Sequence, residues 1–265
     1  MPVWVGTSGW QYGDWAGAFY PPRMPRRKWL LHYAARFSTV EVNATFYRLP
    51  KPEAFQRWAA DTPDDFVVAP KVSQYLSHMK QLRDPAEPVA RFLERALLLG
   101  PKLGPKLGPL LLQLPERFHA DPPRLARALD EFPGHLRVAV ELRHDSWFTP
   151  EVREVLAARN AALVLADRRS RWVTPEWRTA DWGYLRFHEG AGRWPCYGRT
   201  ALAARAGTVE RLWPDAADVF AYFNNDPRCC AVRDARWFAL ACVRRGLAPT
   251  RVPAPSDVRV AAEEP

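Results

Sequence analysis

Thr39-Val40-Glu41-Val42-Asn43-Ala44-Thr45 alternates polar with small or apolar residues, so Glu41, Asn43 and Thr45 share one face of an extended segment. Seven further β-rich or apolar runs, at 3–7, 66–71, 109–113, 136–142, 161–166, 182–188 and 218–224, bring the expected strands to eight. Helix-period segments lie between most of them. Trp29, Tyr33 and Phe37 recur at intervals of four, and Val89, Phe92, Leu93, Ala96 and Leu97 form one helical stripe. Such alternation predicts an α/β fold with a parallel sheet. The chain has 265 residues, and about 250 are typical of an eight-fold β/α barrel. The expectation is therefore a single eight-stranded parallel β/α barrel of the TIM type.

The punctuation agrees with the periodicity. Pro52, Pro85 and Pro122 sit where helices should start, and Thr149-Pro150 reads as an N-cap followed by the first helical residue. Residues 167–181, between the sixth and seventh strands, hold Arg168, Arg169, Arg171, Trp172, Pro175, Trp177 and Arg178 with no clean apolar stripe. The helix of that unit should be short or missing. Gly100-Pro101-Lys102-Leu103 repeats as Gly104-Pro105-Lys106-Leu107, which reads as a tandem duplication lengthening one loop. Residues 1–250 are expected to form the barrel, and 251–265, rich in Pro, Ala and acids, a loosely packed or disordered tail.

With 48% apolar and 12% aromatic residues the chain can bury a sizeable core, which excludes global disorder. The net charge of +9 is carried almost wholly by Arg, because only six of the 38 bases are Lys. A basic face suits nucleic acid, phosphorylated metabolites or an anionic surface; the scatter of the Arg residues suits compositional background. Cys196, Cys229, Cys230 and Cys242 have neither paired zinc spacing nor the density of a disulfide scaffold, so they are expected to be reduced core thiols. The start runs directly into a strand pattern, and no apolar stretch nears the ~20 residues of a membrane span. The expectation is a cytoplasmic protein without a membrane partner.

In a barrel, side chains at the carboxyl ends of the strands line the catalytic mouth. Lys71 closes the third strand, Gln113 the fourth, Glu141 and Arg143 the fifth, Asp167 the sixth, Arg186 and His188 the seventh, and Asn224-Asn225 the eighth. Charges there are costly unless paired or solvated, so the ring marks either a wet functional mouth or a satisfied ion network. Glu41 and Glu141, from the second and fifth strands, should face each other across the mouth, a separation that suits an acid and a base on opposite sides of a substrate or two ligands of separate ions. With Lys71, Arg143 and Arg186 nearby, ion-paired structural carboxylates are the alternative. His188 suits acid, base or ligand chemistry, or a structural hydrogen bond; His78 and His144 lie in loops beside the mouth. No HxH or HExxH spacing appears, so no metal ligand is assigned and no cofactor is expected, with a divalent ion left as an alternative. Nucleotide-binding glycine motifs and a nucleophile elbow are also absent.

Aromatic residues crowd the same rim: Trp10, Tyr12 and Trp15, Phe46-Tyr47, Trp147-Phe148, Trp172 and Trp177. Exposed rings beside Arg suit a nucleotide, a sugar phosphate or nucleic acid. The expected catalytic set is Glu41, Glu141, Lys71 and His188. The expected substrate-binding set is Trp10, Tyr12, Asn43, Tyr47, Gln113, Arg143, Trp147, Asp167, Arg186 and Asn225.

Gly6-Thr7-Ser8-Gly9-Trp10, Phe19-Tyr20-Pro21, Thr45-Phe46-Tyr47-Arg48, Gln113-Leu114-Pro115, Glu141-Leu142-Arg143, Tyr184-Leu185-Arg186-Phe187-His188 and Phe223-Asn224-Asn225-Asp226 occur in this order. In this the chain resembles the domain-of-unknown-function 72 family, the YecE-like proteins. The resemblance implies a TIM-type barrel, similar to the superfamily that holds endonuclease IV and sugar isomerases, and so suggests a metal-assisted nucleic-acid role by analogy. Two positions depart from the family pattern: Glu189 intervenes before Gly190, and Asp234 stands where Asn is more usual. Three readings stand: an acid/base enzyme, such as a hydrolase, acting on a small anionic or sugar-like ligand; a nucleic-acid binding or processing protein; and a non-catalytic ligand-binding barrel.

Overall fold

The computed structural model describes residues 2–100, 106–192, 194–215 and 218–259. Each of the eight expected runs contains a strand. These are β1 (Pro2–Thr7), β2 (Thr39–Val42), β3 (Val67–Pro70), β4 (Leu110–Gln113), β5 (Val138–Glu141), the pair β6 (Ala162–Leu163) and β7 (Leu165–Arg168), β9 (Gly183–Glu189) and β10 (Val219–Phe223). Two short strands, β8 (Arg171–Trp172) and β11 (Ala248–Pro249), were not anticipated. Between them run α1 (Trp29–Ala34), α2 (Ala44–Tyr47), α3 (Pro52–Ala60), α4 (Ala86–Ala96), α5 (Pro122–Asp130), α6 (Pro150–Ala157), α7 (Arg199–Leu212) and α8 (Cys230–Val243). The helix-start signals hold: Pro52, Pro122 and Pro150 open their helices, and Thr149 Oγ1 accepts from the Val152 amide.

The fold is mixed α/β with parallel sheets. Hydrogen bonds group the described strands as β11-β1-β10-β9-β7-β8, β2-β3 and β4-β5-β6 rather than in one continuous ladder. At the β1–β2 seam the backbones touch without pairing; a Cβ on Gly6 would lie 2.4 Å from the Thr39 carbonyl oxygen. Isolated bridges, Val68 with Leu107 and Lys71 with Leu111, join β3 to β4. The sixth run breaks at Val164, whose amide still donates to Val140 O at 2.9 Å, so β6 pairs with β5 while β7 pairs with β9. Small and aromatic side chains from these strands, among them Ala69, Leu111, Ala139, Ala166, Tyr184 and Tyr222, form one buried cluster. Two larger clusters fill the space between strands and helices, and the α4 stripe Val89, Phe92, Leu93 and Ala96 lies in one of them.

Between β7 and β9 no helix forms. Arg169 and Ser170, both at positive φ, turn β7 into the antiparallel β8, a tight hairpin in a segment that has no apolar stripe for a helix to bury.

Two expectations are corrected. Cys196 and Cys230 are joined in a disulfide, with Cα atoms 4.9 Å apart across 34 residues of sequence, while Cys229 and Cys242 are free and buried. The sequence spacing hid this pair because the chain doubles back from the loop after β9 to the start of α8. Residues 251–259 are not a loose tail. Arg251 donates to the Ala34 and Phe37 carbonyls at the end of α1 and pairs with Asp65, and Asp257 pairs with Arg36. Residues 260–265, and 101–105 of the duplicated loop, lie outside the described residues. Among the described residues no helix is long and apolar enough to cross a membrane.

The Gly6 contact generates a stability test. Gly6→Ala forces the β1–β2 seam apart and should lower unfolding free energy by about 1–3 kcal/mol, read as a reduced urea midpoint. A change within error would mean that the seam yields freely.

Candidate active site

The strand alternation places Tyr184, Arg186 and His188 on one face of β9, at positions i, i+2 and i+4. Arg186 has Ala166 as its β7 partner and Tyr222 as its β10 partner, and the small alanine leaves room beside the guanidinium. That guanidinium is 2% exposed and reaches two carboxylates. Its Nε and Nη2 donate to Glu41 Oε2 and Oε1 at 3.0 and 2.8 Å, and Nη1 donates to Glu141 Oε2 at 2.5 Å. Glu41, wholly buried, also accepts from the Tyr184 hydroxyl at 2.7 Å.

Glu141 extends the network toward solvent. Gln113, its register partner on β4, donates Nε2 to Glu141 Oε2 at 2.8 Å and accepts from Lys71 Nζ at 2.9 Å. On the other oxygen, Oε1, His188 Nε2 lies at 3.2 Å and Arg143 Nε at 3.4 Å. Burial works against a charge on Glu141, yet Arg186, His188 and Arg143 hold its carboxyl well below the usual range. For Arg186, burial is likewise outweighed by Glu141 and Glu41, which hold it above its ordinary value.

Lys71 lies with Nζ 4.0 Å from the centroid of the Phe46 ring. Burial, with Arg186 next in weight and Arg143 adding to it, pushes its ammonium down to about 8 against the pull of Glu141 and Glu41. His78 stands edge-on to the same ring, in a single π-helical turn at Tyr75–Met79. Burial, then Lys71 and Arg143, lowers its imidazole to about 4, so it is neutral at pH 7.

Above this network opens a pocket of about 340 Å³, lined by Asn43, Tyr47, Lys71, Gln113, Arg143, Arg186 and His188 from the expected set. Phe46, Gln74, His78 and Asn224 complete it. Asn43 Nδ2 donates to Ser8 O and Asn224 Oδ1, both at 3.4 Å, while its buried Oδ1 has no hydrogen-bond partner among the described residues. Tyr47 is 71% exposed at the rim.

Seven expected residues are not part of the pocket lining: Glu41 and Glu141, which lie in the network beneath it, and five that sit elsewhere. Trp147 is fully buried and donates Nε1 to Phe118 O, and Trp10 packs edge-on against Trp58. Tyr12 spends its hydroxyl on the Ser8 carbonyl. Asp167 binds Arg205 and Tyr197, and Asn225 binds the Pro195 carbonyl and Asp234. These side chains brace loops. Glu41 and Glu141 are bridged by the Arg186 guanidinium, which takes both oxygens of Glu41 and one of Glu141, so both carboxylates are ion-paired. Sequence reading passed over Tyr184, although its place two residues before Arg186 marks the same face. It named Phe46 among the rim aromatics, Asn224 at the end of the eighth strand and His78 in a loop beside the mouth without placing them in the site sets, and it passed over Gln74, because loop residues carry no periodic signal. Among the described residues no group of three or more His, Cys, Asp or Glu gathers at metal-binding distance.

Two tests follow from this geometry. Arg186→Met leaves two buried carboxylates without their partner and should cost about 3–5 kcal/mol in urea unfolding. The triple variant with Glu41→Gln and Glu141→Gln should recover much of it; an Arg186→Met variant as stable as the parent would show that the carboxylates do not depend on Arg186. Between about pH 8 and 10.5 the unfolded Lys71 binds a proton that the folded one has released, so stability should gain with pH across that window. Lys71→Met should remove that gain, and an unchanged profile would place the shift elsewhere.

Comparison with known proteins identifies the family. The family model described as "Protein of unknown function DUF72" matches residues 4–257. The UPF0759 protein YecE of Escherichia coli K12 is 35% identical over 173 residues, 63% of this chain and 60% of YecE. The UPF0759 protein YunF of Bacillus subtilis 168 is 28% identical over 156 residues, 57% of this chain and 54% of YunF. The matched region thus spans less than two thirds of either relative. Among solved structures, the DUF72 family protein TM1631 of Thermotoga maritima superposes with a TM-score of 0.80 at 28% identity, covering 91% of this chain and 98% of the other. A DUF72 family protein of Enterococcus faecalis, EF0366, gives 0.77 at 20% identity over 91% and 95%, a likeness of fold alone. A match running from β1 to the last helical turn before the C-terminal residues means that this chain belongs to the DUF72 family.

Proposed function

We propose that this protein is an enzyme acting on a small anionic or sugar-like substrate, with its eight principal strands arranged as a TIM-type barrel around the mouth pocket. The observation that carries the reading is the charge balance beneath that pocket. Glu41 and Glu141, the two buried carboxylates, face three cations, Arg186, Lys71 and Arg143, all of which line the pocket, while the third carboxylate, Glu116, reaches Arg143 only at 3.6 Å from an exposed position. The buried side of the pocket therefore carries more cation than carboxylate, and the wall that faces the ligand is cationic.

Lys71 is the proton-transferring group in this reading. An amine near pH 8 holds both protonation states within reach of neutral conditions. Arg143 clamps an anionic oxygen, and Gln113 and His188, each held by Glu141, orient the substrate. The unpartnered Asn43 Oδ1 accepts a hydroxyl, the exposed Tyr47 ring offers a stacking wall, and Glu41 is a positioning residue acting through Arg186. A pocket of about 340 Å³ favours this reading over duplex nucleic acid, because it holds a monosaccharide-sized ligand.

The test is calorimetric titration with a panel of sugar phosphates and their phosphate-free sugars, followed by phosphorus NMR of incubated mixtures. A bound sugar phosphate should lose about tenfold or more in affinity in Arg143→Ala, weaken as pH rises through 8, and show no turnover with Lys71→Met. Full turnover by Lys71→Met, or equal binding of the uncharged sugars, would refute it.

A further inference from the structure

A second cavity, of about 530 Å³, lies on the helical layer between α7 and α8 and shares no lining residue with the mouth pocket. Its walls are Arg199 and Ala203 of α7, and Arg236, Leu240 and Ala241 of α8, closed by Arg244 and Arg245 beyond the α8 end. The space exists because Ala203 and Ala241 stop at Cβ where two packed helices would otherwise interdigitate. Arg245 is fixed in place. It pairs with Glu210 at 2.7 Å and lies over Gly207, where a Cβ would come within 3.0 Å of its guanidinium carbon. Arg199 rests 4.4 Å from the Trp237 ring centroid. Among the described residues no carboxylate pairs with Arg199, Arg236 or Arg244.

Three uncompensated guanidinium groups around a concave apolar floor repel one another unless an anion joins them. Leu240, 44% exposed, and Val243, 58% exposed, continue the apolar surface along α8. We propose that this groove is a binding site for a small amphipathic anion, with a carboxylate or phosphate held by Arg236 and Arg244 and an apolar stem lying over Ala203, Leu240 and Ala241. The volume fits such a molecule, since small-ligand sites span about 300–1,000 Å³, and Arg suits planar or tetrahedral oxyanions through its forked donors. The site is independent of the mouth chemistry.

Calorimetric titration of the full chain with octanoate, octanol and inorganic phosphate tests it. Octanoate should bind, and octanol and phosphate, each lacking one half of the recognition, should bind about tenfold or more weakly. Arg236→Ala with Arg244→Ala should weaken octanoate to a similar degree. Ala203→Leu, which fills the floor and keeps every charge, should weaken it as well, and Arg143→Ala in the mouth should leave it unchanged. No octanoate binding, parity with octanol, indifference to the groove variants or loss in Arg143→Ala would each overturn the proposal.

Discussion

One guanidinium, that of Arg186 on β9, joins carboxylates from β2 and β5, strands that are not neighbours in the sheets. Removing three charges from water costs several kcal/mol per ion, so the arrangement survives only because the oxygens and donors are nearly all satisfied. Glu41 is held by two guanidinium nitrogens and Tyr184, and Glu141 by Arg186, Gln113, His188 and Arg143. This network fixes three strand ends relative to one another. It also decides the character of the pocket above it, because Arg186 takes both oxygens of Glu41 and one of Glu141 and leaves only Glu141 Oε1 to Arg143 and His188. Burial first, and the positive charge of Arg186 next, then make Lys71 reluctant to hold its proton.

A second buried network braces the loop that follows His188. Tyr197 donates to Asp167 and accepts from the Glu189 amide, Arg205 pairs with Asp167, and Asp234 receives the Tyr197 amide and Asn225. Burial pushes Asp234 up to about 6, against the pull of Arg233 and these hydrogen bonds. The Cys196–Cys230 bond ties the same loop to α8, and Gly190 is required where a Cβ would strike the Cys196 carbonyl. Thus Glu189 enters through its backbone amide, and His188 still reaches Glu141. The Asp at 234 also has a local reason, since it accepts from both Asn225 and Arg233.

Much of the positive charge has an internal use. Arg137 holds Asp218, Arg159 holds Asp130 through two bonds, Arg205 holds Asp167, and Arg251 caps the end of α1. The net charge of +9 is therefore a poor guide to partners. Among the described residues Arg without a carboxylate occurs elsewhere too, at Arg26, Arg27, Arg168 and Arg169 for example, and what sets the groove between α7 and α8 apart is that three of them, Arg199, Arg236 and Arg244, line one cavity.

The sequence alone determined the strands and most helix starts, because alternation, helical period and proline at the first turn act over a few residues. It also located the polar strand ends, and seven of the expected residues line one pocket. Only the tertiary structure decided what those residues do. Whether Glu41 is a free acid or the partner of Arg186 depends on a contact across 145 residues, and periodicity carries no information about such distances. The same reason separates Trp147, buried in the core, from Tyr47, exposed at the rim, though both follow a strand. It separates the joined Cys196 and Cys230 from the free Cys229 next to one of them. Local pattern sets which face a side chain takes, and the folding of distant strands onto one another sets what it meets there.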